Sequence, residues 1–158
     1  MKNSEAISEF LSAMRGFTST VTVISSKSSS IRLAMTATSV CSLSLDPPSM
    51  VICVNKAASI HRALKEKNSF CINVLSKDQL YLAELCSDST KEDQRFEDGQ
   101  WNEIDSIPYI YDSTSNIFCK FKEEISYSTH SLFIGKVYKV INNKEHPTLL
   151  YKEGNYIK

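Results

Sequence analysis

Glycine is scarce in this sequence of 158 residues, which contains only four. No Gly-x-Gly-x-x-Gly fingerprint and no Gly-x-x-x-x-Gly-Lys loop occurs, which excludes the two common glycine-rich cradles for nucleotide phosphates. The Gly-x-Ser-x-Gly turn of serine hydrolases is missing as well. Any phosphate that the chain binds must therefore be held by hydroxyls, backbone N–H groups and a few basic side chains.

The five cysteines form no Cys-x-x-Cys pair, and only three scattered histidines accompany them. This spacing argues against a structural zinc site, and we expect no bound metal. Most of the cysteines lie in apolar stretches such as Met50–Val54 and Phe70–Leu75. We therefore expect them to be reduced and buried, as small hydrophobic side chains in a cytoplasmic protein.

An excess of charge of either sign is also lacking, because 18 basic and 18 acidic residues cancel. A neutral chain has no electrostatic footprint for nucleic acid or for an anionic membrane. No apolar run reaches the roughly 18–20 residues that span a bilayer, and the polar segment 1–9 does not resemble a secretory signal. With 42% hydrophobic residues, the composition favours one soluble domain over residues 1–158.

Helical patterns are few and short. Apolar residues at i, i+3, i+4 and i+7 predict an amphipathic helix over Ser4–Arg15 that ends near Gly16. Ser59 is placed to cap a short second helix. A capping box over Ser76–Gln79 predicts a third helix that reaches about Cys86.

The polar stretch Ser87–Ser106 shows little periodicity and predicts a long surface loop. Phe96 and Trp101 are its apolar anchors, which we expect to pack against the body of the protein. Loops of this length are more often functional than idle, so this stretch is a candidate part of a ligand site.

Strand patterns account for most of the remaining chain. Alternation predicts a half-buried strand over Ile117–Tyr127, with its apolar residues, up to Ile125 and Tyr127, on one face. The apolar run Met50–Val54 predicts a strand buried on both faces, and Gly135 marks a bulge. The predicted strands are Thr18–Ser26, Ile31–Ser39, Met50–Val54, Phe70–Leu75, Ile117–Tyr127, Leu132–Ile141 and Thr148–Tyr151. They favour a mainly β fold, a closed or nearly closed antiparallel barrel with two or three short helices.

Two polar clusters are candidates for a ligand site. Hydroxyl side chains crowd the stretch before a Pro-Pro turn, at Thr36, Thr38, Ser39, Ser42 and Ser44. A second cluster surrounds the start of the predicted second helix, at Asn55, Lys56, Ser59, His61 and Arg62. The free N–H groups and partial positive charge of a helix start favour an anion. Both clusters also fit the simpler interpretation that Ser and Thr occupy strand ends and helix caps.

Seven motifs in order resemble the flavin reductase-like family, and most of all the group typified by the reductase component of 4-hydroxyphenylacetate 3-monooxygenase. They are Phe17–Val23, Met35–Pro48, Ser59–Ala63, Phe70–Leu75, Arg95-Phe96, Thr129–Val137 and Leu149–Tyr151. Each motif is moderately specific, and their order and spacing over nearly the whole chain carry the resemblance. Departures from the family pattern are Thr20 and Ser128, where glycine is usual, and Ile157, where a basic residue is usual.

The resemblance implies a split, Greek-key antiparallel β-barrel of the FMN-binding type. It also implies a homodimer with flavin in a groove near the subunit interface. By position, the isoalloxazine edge would be lined by Thr36, Ala37, Thr38 and Ser39. The ribityl chain and phosphate would be reached by Ser42, Asn55, Lys56 and Ser59. Phe96 would lie near the flavin, and His130 beside the nicotinamide as the one candidate catalytic residue.

The function that the resemblance implies is hydride transfer from NADH or NADPH to FMN or FAD, with reduced flavin passed to a partner oxygenase. The same fold also serves flavin carriers, so an FMN-binding electron carrier or flavin-storage protein without NAD(P)H turnover is the alternative. A small interaction domain that binds no flavin is the third hypothesis. His61 and His146 are weaker candidates than His130, because His61 is predicted on a helix surface and His146 precedes a proline in a hairpin.

Overall fold

The computed structural model describes residues 2–66, 69–143 and 145–157, and β-strands dominate it. Its α-helices in the described ranges are α1 (Lys2–Arg15), α2 (Ile60–Glu66) and α3 (Leu80–Ser87). Short 3₁₀ segments precede and follow α3, at Lys77–Gln79 and Ser89–Gln94. All three predicted helices are therefore confirmed. In the capping box, the Gln79 side-chain oxygen accepts a hydrogen bond from the Ser76 backbone N–H at 3.1 Å.

Twelve strands lie in the described part of the chain. The first six are β1 (Ser19–Thr20), β2 (Thr22–Ser28), β3 (Ile31–Ala37), β4 (Val40–Leu45), β5 (Pro48–Asn55) and β6 (Ser69–Val74). The others are β7 (Trp101–Ile104), β8 (Ile107–Ile110), β9 (Ser115–Tyr127), β10 (His130–Asn142), β11 (Leu150–Lys152) and β12 (Asn155–Ile157).

The main sheet has seven antiparallel strands in the order β3-β2-β6-β9-β10-β5-β4. Its two edge strands are consecutive in the chain, since only Thr38 and Ser39 separate β3 from β4. The backbone N–H of Cys53 in β5 also donates to the Ser39 carbonyl at 3.0 Å. The sheet therefore curls until its two edges meet at Thr38 and Ser39, which confirms the predicted mainly β, nearly closed barrel.

The inside of the curled sheet holds the main hydrophobic core. Ile24, Ile52, Phe70 and Phe133 come from four different strands, and none of them is exposed to solvent. Helix α2 covers one side of this core with its apolar face, which includes the fully buried Leu64. Burying side chains of this size contributes about 1.5–3 kcal/mol each, so this layer is the main source of stability.

A buried asparagine attaches the β7–β8 hairpin to the main sheet. The Asn73 side-chain oxygen accepts hydrogen bonds from the Ile110 backbone N–H and from Asn116 Nδ2, each at 2.8 Å. Its Nδ2 donates to the Val23 carbonyl at 2.8 Å and to Ser25 Oγ at 2.9 Å. All these groups are buried, so Asn73 satisfies backbone atoms that a hydrophobic residue would leave without partners.

Several predicted boundaries are wrong. The predicted strand Thr18–Ser26 is interrupted at Val21, whose backbone N–H donates to the carbonyl of Leu149. Leu149 directly precedes β11, which pairs with β1 and β12 in a separate three-stranded sheet. The predicted loop Ser87–Ser106 contains a 3₁₀ segment and strand β7. Its two anchors do pack inward as predicted: Trp101 is 9% exposed, and its indole N–H bonds to the Arg95 carbonyl.

A β-bulge in β9 overturns the prediction that its apolar residues share one face. The pairing with β10 shifts register between Ile134, opposite Glu123, and Gly135, opposite Phe121. Lys122 therefore has no partner residue in β10, and the residues of β9 after it point to the opposite face from the one that alternation predicts. Ile125 and Tyr127 consequently point outward and are 45% and 81% exposed. A Cβ at Gly135 would lie only 2.6 Å from Phe70 Cζ, so this position in the bulge requires glycine.

The prediction for Met50–Val54 is also wrong in one respect. Ile52 and Val54 are fully buried, but Val51 and Cys53 on the opposite face are only half-buried. The cysteines divide in a similar way, because all five are free, three are buried and Cys41 is exposed. Among the described residues, no helix has the length and apolar character needed to cross a membrane.

Candidate flavin site

The hydroxyl-rich segment begins with two residues whose side chains are already engaged. Thr36 Oγ1 donates to the Ala83 carbonyl in α3 at 2.6 Å, and Ala37 is 7% exposed and packs in the main core. Alternation along β3 explains this, since its two faces meet α3 and the core. Neither Thr36 nor Ala37 therefore offers a free side chain to a ligand, and the Ala37 carbonyl accepts a hydrogen bond from Thr22 Oγ1 at 2.6 Å.

The next residues, Thr38 and Ser39, are exposed at the point where the sheet edges meet. They line a cavity of about 330 Å³ together with Leu11 and Met14 of α1 and Tyr151 of β11. Ser42 lies further along the chain, in β4, and lines a separate cavity of about 200 Å³. Strand β4 was not predicted, because serines occupy positions where β-branched residues are usual in a strand.

The second polar cluster meets His130 at one end of the sheet. His130 is the first residue of β10 and pairs in register with Asn55, the last residue of β5. The Lys56 backbone N–H donates to the Thr129 carbonyl at 2.9 Å, and Lys56 Nζ donates to the Ser128 carbonyl at 2.7 Å. The structure therefore brings Asn55, Lys56 and His130 together, and their contact with a flavin or a nucleotide stays a prediction.

The turn between β9 and β10 places His130 at the surface. Ser128 has φ 47°, in the left-handed region that favours glycine, which fits the family's usual glycine at this position. Thr129 Oγ1 lies 2.9 Å from Nδ1 of His130 and holds one nitrogen of the ring. His130 is thus exposed and oriented by its neighbour, while its backbone belongs to the sheet.

The Ser59 side chain has a different partner from the one predicted, whereas Phe96 packs inward as predicted. Ser59 Oγ does not cap α2 but donates to Glu92 Oε1 at 2.8 Å. The Phe96 ring packs on Trp101 at a centroid distance of 4.5 Å, with the Arg32 guanidinium 4.6 Å from its centroid. Both residues therefore tie the 3₁₀ segment Ser89–Gln94 and its continuation to the sheet, and their contact with a flavin stays a prediction.

Side chains on the inward face next to His130 form a hydrogen-bond network that was not predicted. His61 Nε2 lies 2.9 Å from Ser131 Oγ, and Ser131 Oγ donates to Glu124 Oε1 at 2.8 Å. Lys65 Nζ pairs with the other oxygen of Glu124 at 3.2 Å. The hydrogen bond from Ser131, aided by Lys65, holds the pKa of Glu124 below its ordinary value. His61 is not on an open helix surface as predicted, and its i, i+4 spacing from Lys65 was the available signal.

The two clusters adjoin along β5, because Ser39 contacts Cys53, two residues before Asn55. The edge where β3 and β4 meet thus offers exposed hydroxyls, and the end of the sheet offers the Lys56 ammonium. This donor set suits a planar, polar ring with a phosphate tail, such as a flavin, in the absence of a glycine cradle.

A family model described as "Flavin reductase like domain" matches residues 14–158. This chain belongs to that family. The prediction of a flavin reductase, an oxidoreductase, is thereby confirmed. The finer likeness to the 4-hydroxyphenylacetate 3-monooxygenase group is not confirmed by these comparisons.

Relatives of this flavin reductase include components of two-component systems. The reductase component of an FADH(2)-dependent resorcinol hydroxylase from Rhizobium sp. (strain MTP-10005) is 33% identical, covering 93% of this chain and 84% of the relative. An FMN reductase (NADH), RutF, from Pseudomonas syringae pv. syringae (strain B728a) is 29% identical over 93% of this chain and 83% of its own. BorF, the flavin reductase component of a bacterial two-component tryptophan halogenase, superposes with a TM-score of 0.87 at 27% identity, covering 94% and 95% of the two chains.

Proposed function

We propose that this flavin reductase transfers a hydride from NADH or NADPH to FMN or FAD and supplies the reduced flavin to a partner oxygenase. Family membership carries the proposal. The names of the relatives support it, since one is a hydroxylase reductase component and another an FMN reductase (NADH). The two cofactors supply the redox chemistry, and the protein binds them and holds their rings in a reactive orientation.

The hydroxyl-rich segment would bind the flavin ring and its ribityl chain. Exposed Thr38 and Ser39 would hold the flavin ring edge through hydroxyl and backbone N–H donors. Such donors also stabilise the negative charge that reduced flavin carries. Thr36 and Ala37 would contribute backbone atoms alone, while Ser42 would contact the ribityl chain from β4. Phe96 would border the ring from the 3₁₀ side of the site.

The residues at the end of the sheet would bind the charged parts. Lys56 and Asn55 lie side by side with His130, and Lys56 carries an exposed ammonium group suited to phosphate. Ser59 would join them if its hydroxyl exchanged Glu92 for a phosphate oxygen. His130 would position the nicotinamide or contact its diphosphate, without an obligatory proton transfer.

We infer further that two copies of this one-domain chain form a homodimer. An outward-facing set of apolar side chains crosses β5, β9 and β10, and we call it the outer patch: Val51, Cys53, Ile125, Leu132 and Ile134. Leu132 and Ile125 face each other in register and are 37% and 45% exposed. A contiguous patch of this kind on a single chain favours burial against a partner. Tyr127 and His130 border the outer patch, which supports a flavin groove near the subunit interface.

Steady-state kinetics with both nucleotides and both flavins test the proposed reaction. The absorbance of NADH or NADPH at saturating FMN or FAD is followed after the spectrum of the purified protein is recorded. We expect flavin-dependent oxidation of at least one nucleotide. Flavin binding without oxidation of either nucleotide would instead establish the flavin carrier, and no quenching of added flavin fluorescence would establish an interaction domain.

Changing His130→Ala tests the assignment of the nicotinamide side. We expect slower NADH oxidation with nearly unchanged flavin affinity, because the ring lies at the end of the sheet and not among the hydroxyls of β3 and β4. His146→Ala serves as a matched control, since His146 lies near Asp112, away from the site. A collapse of flavin binding in His130→Ala would place this residue on the flavin side.

A further inference from the structure

The segment 56–61 contacts the chain at two points, one on each side of His130. Before His130, Lys56 binds the carbonyls of Ser128 and Thr129 through its ammonium and its backbone N–H. After His130, His61 contacts the Ser131 hydroxyl at 2.9 Å. His130 therefore lies between two contacts made by residues only five positions apart.

The second contact is the better protected of the two. Ser131 is 1% exposed, and its hydroxyl is shared between His61 and Glu124. The His61 ring also meets Phe133 edge-on at a centroid distance of 5.1 Å, which fixes its plane. A buried hydroxyl with two partners has one preferred orientation, so this contact is rigid.

The charged groups next to Ser131 also stabilise the contact between His61 and Ser131. Glu124 of β9 is the carboxylate that faces His61, at 3.5 Å, and Lys65 from the next turn of α2 pairs with it at 3.2 Å. Three elements, α2, β9 and β10, are thus joined at one point. Ser131 faces inward on β10 while His130 faces outward, so the network holds the strand on the face opposite the His130 side chain.

We propose that His61 is a positioning residue that holds His130 in place for the nicotinamide through Ser131 and Glu124. The inference rests on the proposed function and deepens it. Because Asn55, Lys56 and Ser59 of the same segment are the proposed phosphate contacts, the segment 55–61 also links the flavin side of the site to the nicotinamide side. A misplacement of about 1 Å at such a site can cost up to about a hundredfold in rate.

His61→Ala and His61→Gln test this role, with His146→Ala as the matched histidine control. We expect His61→Ala to lower kcat/KM for NADH about tenfold, while the flavin Kd from fluorescence quenching changes less than about twofold. His61→Gln should recover most of the loss, because its amide can contact the Ser131 hydroxyl. Equal losses of NADH efficiency and flavin affinity in His61→Ala would overturn the proposal, since they indicate general structural damage.

Hydrogen exchange of the β9–β10 turn provides a readout that needs no cofactor. We expect faster backbone exchange over residues 127–132 in His61→Ala and in Ser131→Ala than in His61→Gln or the wild type. Ser131→Ala keeps the test open if His61→Ala does not fold. An inactive wild type with the expected exchange pattern would refute the proposed function alone, whereas an active wild type with unaffected variants would refute the positioning role alone.

Discussion

The two faces of β5 and β10 differ sharply in what covers them. Inward, Ile52, Val54 and Phe133 are completely buried by other residues of the same chain. Outward, one residue away, Leu132 is 37% exposed and its opposite neighbour Ile125 is 45% exposed. The inward face is buried within a single chain, whereas the outward face presents apolar side chains that a second copy would cover in the proposed homodimer.

The candidate site includes residues from both faces, so the difference in burial separates residues that would contact ligands from residues that hold the strand in place. His130 lies on the outward face, and Ser131, its neighbour on the strand, lies on the inward face with His61 and Glu124. The inward face can hold the strand rigid before any ligand or partner arrives. The outward face would then be completed by the partner, the nucleotide and the flavin.

Truncating a side chain on the inward face should have the largest effect on the free energy of unfolding. Phe133→Ala removes a fully buried ring from the main core, and we expect it to lower the free energy of unfolding by about 3–5 kcal/mol. The neighbouring change Leu132→Ala should cost less than about 1 kcal/mol at protein concentrations low enough to favour single chains. Urea unfolding measures both, and equal losses would show that the two faces are equally buried.

A charge on the outward face should act on assembly. Leu132→Lys places an ammonium in the centre of the outer patch, and we expect it to weaken dimerisation by about 2–5 kcal/mol with little change in the unfolding of a single chain. Sedimentation equilibrium measures the dimer dissociation constant. Ile31→Lys is the control, since Ile31 is also exposed but is the first residue of β3, outside the outer patch. A wild type that stays monomeric at all concentrations would contradict the homodimer.

The sequence predicted the barrel but not which residues face outward. Alternation correctly placed the β9 strand, and yet the extra residue at Lys122 reversed its two faces, which no period-two pattern can reveal. Similarly, the resemblance located Thr36, but its hydroxyl is engaged by the Ala83 carbonyl in α3. Such contacts depend on residues 47 positions apart, and only the folded chain brings them together.

The residues at the end of the sheet were named from the sequence, but their proximity was not predicted. Asn55 ends β5 and His130 begins β10, and these strands are far apart in the chain, so only the folded sheet shows that they pair. The contacts of Ser59 and His61 were not predicted, because each side chain binds a partner from a distant element, Glu92 and Ser131 respectively. Their local sequence indicated only a helix start.

Thiol reactivity probes the two faces without changing the packing. Burial raises the pKa of Cys119, on the inward face, to about 12, and that of Cys86 likewise to about 12. At pH 8 these groups are protonated thiols and react poorly, and the buried Cys71, whose pKa burial also raises, behaves in the same way. We expect exposed Cys41 to react with a disulfide reagent faster than these three by a factor of at least about 10. Cys41→Ser should remove the fast phase, and its persistence would contradict the assignment.

The smallest effect concerns the turn that joins the two strands. Because Ser128 has φ 47°, Ser128→Gly relieves backbone strain, and we expect it to stabilise the protein by up to about 1 kcal/mol. The same change two residues earlier, Ser126→Gly, lies within β9 and should instead destabilise by about 0.5–1 kcal/mol, since glycine gains freedom in the unfolded chain. Thermal unfolding of the two variants gives the signs directly. If both variants are destabilised equally, Ser128 is not strained, and the turn that presents His130 tolerates serine as well as the family's usual glycine.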